Sequence, residues 1–285
     1  MIGSTRYVAS AEIARQSQLA AEMAKLQQSI STGKRLSAPS DDPVAAARIS
    51  QIRQTQADQT TWTRNVTTGA AIASAADTKL GSVASLLDRA KDLILAGRNE
   101  ATSTADRLSY VNELRGLADE IGSYASATDA NGRALFPDAP VLAIPVSDVV
   151  SLTASDSKTA VFGSVSTVAG TKSIADILTG AADALALQND AQRGTSTTAS
   201  IAEVDAAVAH ISSVRTDQGL RAQRFDDAAS RLSSESDAST EERQDLEQTD
   251  TTYALATFSA KDTQLKAAQA LFAQTHRHSL FDLLG

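Results

Sequence analysis

The 285-residue sequence has no cysteine, one tryptophan, five prolines and 4% aromatic residues. The missing cysteines exclude disulfides, thiolate catalysis and cysteine-ligated zinc. Scarce aromatics argue against a compact enzyme core, because each such ring buries about 150–250 Å² and dominates globular packing. No run approaches the roughly 20 consecutive apolar residues that span a bilayer, and Met1-Ile2-Gly3-Ser4-Thr5-Arg6 is not followed by the apolar run of a secretory signal. Neither membrane insertion nor the usual signal-peptide route is expected. Basic residues are outnumbered, 26 against 34 acidic, giving a formal charge of −8 that offers no overall attraction to nucleic acid or anionic membrane. Alanine, serine and threonine are abundant instead. That composition suits long helices packed at close distance, with modest burial per residue.

Hydrophobic spacing locates the helices. Leu19, Met23, Leu26 and Ile30 share one helical face. That helix should stop at Gly33, a residue free to adopt the left-handed cap, and Pro39 then marks a non-helical connector. Asp42-Pro43 reads as a new helix start, the aspartate accepting from free amides and the proline pre-set for the first turn. From there Val66, Gly69, Ala73, Ala76, Leu80, Val83, Leu87, Ala90 and Ile94 alternate by three and four, the spacing of a coiled-coil face. A helix from about 43 to about 97 would be roughly 80 Å long. Ser103 with Asp106 resembles a capping box ahead of a third stripe, Val111, Leu114, Ala118, Ile121 and Ala125, which should end near Asn131-Gly132.

The character changes from about 136, where Pro137, Pro140 and Pro145 cluster. Val146 to Leu152 and Thr159 to Val168 read as strands, Ile174 to Leu187 as a short helix, and Arg193 to Thr198 as a connector. A head of about 60 residues is too small for a core of its own and should lean on the helices. Coiled-coil spacing then returns with Ile201, Val204, Val208, Ile211, Arg215, Gln218, Ala222, Phe225, Ala229 and Leu232, where Arg215 and Gln218 interrupt it. Ser233 to Thr240 weakens the pattern, Ser239 with Glu242 offers a fresh capping box, and a last helix should run to about Thr275.

Helical regions at both ends with an irregular piece between them predict a mainly α fold. Its long antiparallel coiled-coil rod would be formed by the N- and C-terminal regions, with a small β-rich head inserted. The divisions are 1–42, an assembly helix and connector; 43–135, half of the rod; 136–199, the head; 200–240, the other half; and 241–285, a second assembly helix. Residues 226–250 hold nine acidic side chains against Arg231 and Arg243, while residues 1–35 are net basic. Exposed pairs are worth about 0–1 kcal/mol each, so charge would set register more than stability; a solvated acidic face explains 226–250 equally well.

The stretch Ser29-Ile30-Ser31-Thr32-Gly33-Lys34-Arg35-Leu36-Ser37-Ala38-Pro39-Ser40-Asp41-Asp42-Pro43-Val44-Ala45-Ala46-Ala47-Arg48-Ile49 closely resembles the N-terminal signature of the bacterial flagellin superfamily, and within it the hook-associated protein 3 branch. Gly33, Pro39, Asp41, Asp42 and Pro43 are the signature connector, and the second proline favours that branch. So do Asp129-Ala130-Asn131-Gly132-Arg133-Ala134-Leu135-Phe136 and the ending Ser279-Leu280-Phe281-Asp282-Leu283-Leu284. The resemblance covers roughly residues 1–136 and 200–285. It implies a structural, non-enzymatic part of the bacterial flagellum, exported unfolded through the flagellar type III apparatus without a cleaved signal. The terminal helices would order on assembly into a ring between hook-associated protein 1 and the first flagellin subunits, with a flagellar export chaperone as a further partner. A short filament-forming flagellin, or a surface glycan-binding protein using its head, are the alternatives.

No residues assemble into a catalytic, cofactor or metal constellation. His276 and His278 would lie on different helix faces with only Asp282 nearby, Asp41-Asp42 is explained by capping, and position 140, where a calcium loop needs its closing glutamate, is Pro140. Asn65-Val66-Thr67 fits a glycosylation sequon but sits on the apolar stripe. The stripes therefore carry the function. Val66, Ala73, Leu80, Val83, Leu87 and Ile94, with Ile201, Val204, Val208, Ile211, Phe225 and Leu232, should pack the rod internally. Leu19, Met23, Leu26 and Ile30, with Leu265, Leu271, Phe272, Leu280, Phe281, Leu283 and Leu284, should mostly meet neighbouring subunits.

Overall fold

The structure is a computed structural model describing residues 2–129 and 131–281. In chain order its elements are α1 (Ile2–Thr32), α2 (Pro43–Arg98), α3 (Thr104–Ala125), β1 (Ala143–Pro145), β2 (Ser151–Thr153), α4 (Lys158–Phe162), β3 (Val165–Thr167), β4 (Gly170–Lys172), α5 (Ile174–Ala186), α6 (Asp190–Glu247) and α7 (Thr251–Phe281). They form two compact units, residues 1–57 with 235–285, and residues 58–234.

In the 58–234 unit, the α2 face of Val66, Gly69, Ala73, Ala76, Leu80, Val83, Leu87, Ala90 and Ile94 is buried along its length. α6 runs antiparallel to it, with Lys91 paired to Asp205, Asp77 to Arg215, and Gly69 beneath Phe225. The approach at Gly69 is close: a Cβ there would stand 2.2 Å from Cε1 of the fully buried Phe225 ring. Along α6 the buried line keeps the seven-residue repeat through 204, 211, 218, 225 and 232 but takes its second position one residue earlier than expected. Val204, Ala207, Ile211, Gln218, Phe225, Ala228 and Leu232 are buried, whereas Ile201 and Val208 are half-buried and Ala229 is exposed. Ala207 and Ala228, not Val208 and Ala229, thus face α2 while the repeat itself is unchanged. The two polar interruptions are accommodated. Arg215 stays at the edge, and buried Gln218 donates Nε2 to the carbonyls of Ala73 (3.0 Å) and Ala154 (2.7 Å).

α3 starts at the Ser103 cap, whose Oγ accepts from Asp106 N, and buries Val111, Leu114, Leu117, Ala118, Ile121 and Ala125. It ends at Ala125, short of the expected stop at Asn131-Gly132. The Asp129 carboxylate takes the amides of Asn131 and Arg133, and Gly132 adopts φ +77°, which closes a turn there instead.

The strands among the described residues are confined to 143–172. β1 and β2 pair antiparallel with Ile144 opposite Leu152, and β3 and β4 with Ser166 opposite Thr171. The strand expected over Val146 to Leu152 is mostly the turn between β1 and β2, closed by Val146 N to Val150 O at 2.9 Å. The first half of the strand expected over Thr159 to Val168 is helix α4. Ser157 caps it through the Ala160 amide at 3.2 Å and Gly163 ends it, and these caps override the β propensity of Thr159 and Val161.

Arg193 to Thr198 is not a connector but the start of α6. Asn189 Oδ1 accepts from Gln192 N, and the Thr195, Thr197 and Thr198 hydroxyls donate to carbonyls one turn back. Arg193 is buried, its guanidinium on the Leu187 carbonyl and paired with Asp190. These groups would favour a loop if exposed, but here each finds a helical partner.

The head has no separate core. Val161, Phe162, Val165, Ile174, Ile177, Leu178 and Leu185 belong to one apolar cluster with Leu80, Leu87, Leu114 and Ile211, and Phe162 meets Phe136 edge to face at 5.1 Å. Three polar attachments from the long helices end on main-chain oxygens: Asn65 Nδ2 on Pro145 O at 2.9 Å, Gln218 on Ala154 O, and His210 Nε2 within 3.2 Å of Ala160 O and 3.0 Å of Val161 O; two others end on side chains, Arg221 on Thr153 and Asp156, and Glu203 on Lys172.

In the other unit, α1 stops where Gly33 adopts φ +69°, and α2 begins with Asp42 Oδ1 accepting from Ala45 N at 3.0 Å. No fresh helix starts at Ser239. α6 continues through the polar stretch to Glu247, held to α2 by Gln56 on Thr240 and Arg48 on Glu242. The break comes at 248–250, where Asp250 caps α7 through the Tyr253 amide.

Candidate assembly surfaces

The signature connector is built by two aspartates with separate tasks. Asp41 Oδ2 accepts from Ser37 N (3.1 Å) and Ala38 N (3.0 Å), and its Oδ1 takes Lys25 Nζ at 2.7 Å. Asp42 caps α2 and receives Arg35 at 3.3 Å. Lys25 and the two amides hold the Asp41 carboxyl below the usual carboxylate range. The Ala45 amide, with Arg35 adding to it, does the same for Asp42. Each carboxylate is thereby engaged as an acceptor in holding the connector.

Sequence reasoning missed what this connector touches. Arg35 N donates to Glu247 O at 2.8 Å, Thr249 N to Gly33 O at 3.0 Å, and Arg35 Nη2 to Leu246 O at 3.2 Å. Lys34 and Gln248 thus form an isolated antiparallel bridge. No local pattern announces it, since Arg35 and Leu246 are 211 residues apart.

Beyond the bridge α1 packs on α7, and Lys261 pairs with Glu22, lowering the pKa of that carboxyl. Leu19, Met23, Leu26, Ile30, Leu265 and Phe272 are half-buried and Leu271 is 65% exposed. The side chains of Leu280 and Phe281, with Leu283 and Leu284, lie outside the described residues. Ile13, Tyr253 and Leu255 add exposed apolar surface to the same helix pair, at 54%, 72% and 57%. Of the side chains expected inside the rod, Val66, Ala73, Leu80, Val83, Leu87, Ile94, Val204, Ile211, Phe225 and Leu232 are buried.

Small-molecule chemistry has little to work with. A groove of 980 Å³ between the β3–β4 tip and α6 is lined by Ser166 to Ala169, Ala191, Gly194 and Thr198, and two of its acids, Asp190 and Glu203, are already paired with Arg193 and Lys172. Among the described residues no three His, Asp or Glu side chains are placed to hold a metal ion, and no helix is long and apolar enough to cross a membrane.

The chain is similar to known flagellar proteins. The family model for the bacterial flagellin N-terminal helical region matches residues 4–139, and that for the C-terminal helical region matches residues 201–284. Flagellar hook-associated protein 3 of Salmonella typhimurium is 34% identical over 116 residues, 41% of this chain and 37% of that protein. The matched stretch therefore spans well under half the relative's length. A flagellin of Listeria monocytogenes is 27% identical over 134 residues, 47% of this chain and 46% of its own. Among solved structures, flagellar hook-associated protein 3 of Legionella pneumophila superposes with a TM-score of 0.62 at 14% identity, over 70% of this chain and 98% of that one. That likeness concerns the fold.

Proposed function

The chain belongs to the bacterial flagellin superfamily, and on that premise we propose that it is the flagellar junction protein, a non-enzymatic subunit standing between hook and filament. The observation that carries this reading is the terminal helix pair. α1 and α7 leave Leu19, Met23, Leu26, Ile30 and Leu265 only half-buried and Leu271, Tyr253 and Leu255 largely exposed. Apolar surface of that extent on a helix pair suits further burial against neighbouring subunits. The relatives named hook-associated protein 3 favour the junction over the filament.

On this reading the subunit reaches the flagellum through the type III export apparatus without a cleaved signal, with an export chaperone covering its terminal segments. It then docks on hook-associated protein 1, closes a ring with copies of itself, and presents the opposite face to flagellin. Its terminal helices complete their burial on assembly, so ordering is repaid by contacts made at that moment. The divisions at 1–42, 43–135, 136–199, 200–240 and 241–285 are the functional segments of this scheme.

Disruption of the gene in the source bacterium, followed by electron microscopy, tests the proposal. Hooks without filaments, with flagellin released to the medium, are the expected outcome; normal filaments would refute it. Purified protein that polymerises alone into long filaments would identify a filament flagellin instead. Deletion of Leu280 to Leu284 should abolish assembly while the helicity of residues 66–94 persists.

A further inference from the structure

Asparagine is the thermolabile amide of proteins, because its side-chain carbonyl can be attacked by the peptide nitrogen of the next residue. Glycine in that next position permits the attack best, having no Cβ to shield the nitrogen. Asn131 stands in the chain's one Asn-Gly step; the other four asparagines precede Val66, Glu100, Glu113 and Asp190. Asn131 is exposed, and nothing lies within 4 Å of where a Cβ on Gly132 would stand. The others are differently held. Asn65 lies in α2 with Nδ2 on Pro145 O, Asn112 lies in α3, Asn189 Oδ1 accepts from Gln192 N, and Asn99 Oδ1 accepts from Ala101 N. The turn around Asn131 opposes the attack. Gly132 N donates to Asp129 O at 3.0 Å, and Asp129 Oδ1 accepts from Asn131 N at 2.8 Å and Arg133 N at 2.9 Å, the amides on either side. The Arg133 amide above all holds the Asp129 carboxyl below the usual carboxylate range, and a negative charge there disfavours loss of a proton from a neighbouring amide. The same turn latches the entry to the head. Asp129 N donates to Arg133 O at 2.7 Å and Leu135 N to Ala127 O at 2.8 Å, and the Leu135 and Phe136 side chains that follow are buried.

We infer that Asn131 is this chain's site of spontaneous side-chain amide loss, that closure of the Asp129 turn sets its rate, and that the isoaspartate product leaves the turn unlatched. In the step, Gly132 N gives up its proton to solvent base and bonds to Asn131 Cγ, while the Cγ–Nδ2 bond breaks and that nitrogen leaves as ammonia. A cyclic imide results. Water then opens it at either carbonyl. Breaking the new N–Cγ bond gives aspartate at 131, and breaking the original peptide C–N bond gives isoaspartate, whose main chain runs through Cβ and Cγ. That path is one carbon longer, so Gly132 N and Arg133 N cannot both return to Asp129. The attack needs Gly132 N released from Asp129 O. It therefore proceeds from the minority of molecules whose turn is open, and its rate follows that population.

The inference holds for a junction subunit and a filament subunit alike, so it stands apart from the reading above. The test ages the full-length protein in mildly alkaline buffer and digests it with trypsin, which releases Gly116–Arg133 with Asn131 as its one asparagine. Mass spectrometry should find amide loss in this peptide before any in the peptides carrying Asn65, Asn99, Asn112 or Asn189, with aspartate and isoaspartate forms separated by chromatography. Conversion in guanidinium chloride should run about tenfold faster than in the folded chain, as expected where local opening gates the reaction. Asp129→Ala, which removes the acceptor of two turn amides, should carry the folded rate most of the way to the denatured one. In the isoaspartate fraction the Leu135 amide should exchange faster than in fresh protein, while amides at 80–94 keep their protection. Earlier loss at another asparagine would overturn the assignment of the site. Equal rates in folded and denatured chains would overturn control by the turn, and unchanged exchange at Leu135 would overturn the unlatching. Should Asp129→Ala unfold the chain, the folded and denatured comparison of the unmodified protein decides alone.

Discussion

Replacing Gly69 by alanine sets two effects of opposite sign against each other. Alanine in a helix interior is favoured over glycine by about 1 kcal/mol, so α2 should gain. The new methyl, however, would lie 2.2, 2.5 and 2.9 Å from three carbons of the Phe225 ring. That ring is fully buried. Overpacking costs about 1–3 kcal/mol, and three simultaneous overlaps with a rigid ring place this case near the top. The net expectation is a loss of about 2 kcal/mol, a factor of roughly 30 in the folding equilibrium. Gly81→Ala on the same helix is the control. Its methyl would meet only the Arg215 guanidinium, Nη2 at 3.7 Å and Cζ at 3.8 Å, ordinary contacts, so that variant should gain about 0.5–1 kcal/mol. Urea unfolding followed by Trp62 fluorescence reads both, because the tryptophan packs against the cluster containing Val66 and Phe225. Adding Phe225→Leu to Gly69→Ala should cost less than the sum of the single losses. If Gly69→Ala is as stable as Gly81→Ala, the close approach of α2 and α6 at this level is wrong.

Gln218→Leu should cost about 1–3 kcal/mol in the same unfolding assay, since it strands the Ala154 carbonyl in a buried setting. Ser173→Ala removes the α5 cap, whose Oγ accepts from Asp176 N at 3.0 Å, and should lower stability by about 1 kcal/mol, read by thermal melting. The connector should open in acid. The pKa values of Asp41 and Asp42 are depressed in the folded chain, so their contribution is complete above the ordinary aspartate value of about 3.9 and fades as pH falls through the lowered values. Proteolysis at 33–42 by an acid-active protease should accelerate below pH 4 and stay flat between pH 5 and 7.

The helices of α2 were legible because its apolar spacing is unbroken and its occupants differ from their neighbours. Where neighbours are alike the sequence discriminates poorly. Ala228 and Ala229 offer the same side chain, and only the rotation of α6 against α2 decides that the first is buried. The start of α6 was hidden for another reason. Arg193 and Thr197 are polar in the sequence yet buried in the fold, and their helical partners become visible only once the turn exists. Ser157 and Gly163 did bracket α4 in the sequence, but the β-branched residues between them outweighed that signal. The bridge between Lys34 and Gln248 had no local trace at all, because its register is a property of two distant segments. Capping chemistry at Gly33, Asp42 and Ser103 was readable, since each of those caps acts within a few residues of itself.

The attachments of Asn65, Gln218 and His210 to the head all end on peptide oxygens. A peptide oxygen is present whatever residue occupies the position, so these bonds specify a backbone path and leave the side chains at 145, 154, 160 and 161 free of any polar requirement. At those four positions the head can change its side chains without losing the bonds, whereas Thr153 and Asp156, which hold Arg221 of α6, and Lys172, which holds Glu203, cannot be changed so freely. At these three attachments sequence drift should therefore be unequal: fast on the fastened side, slow on the fastening side. The two flagellin family models leave residues 140–200 uncovered, which is the stretch where this asymmetry permits the most change.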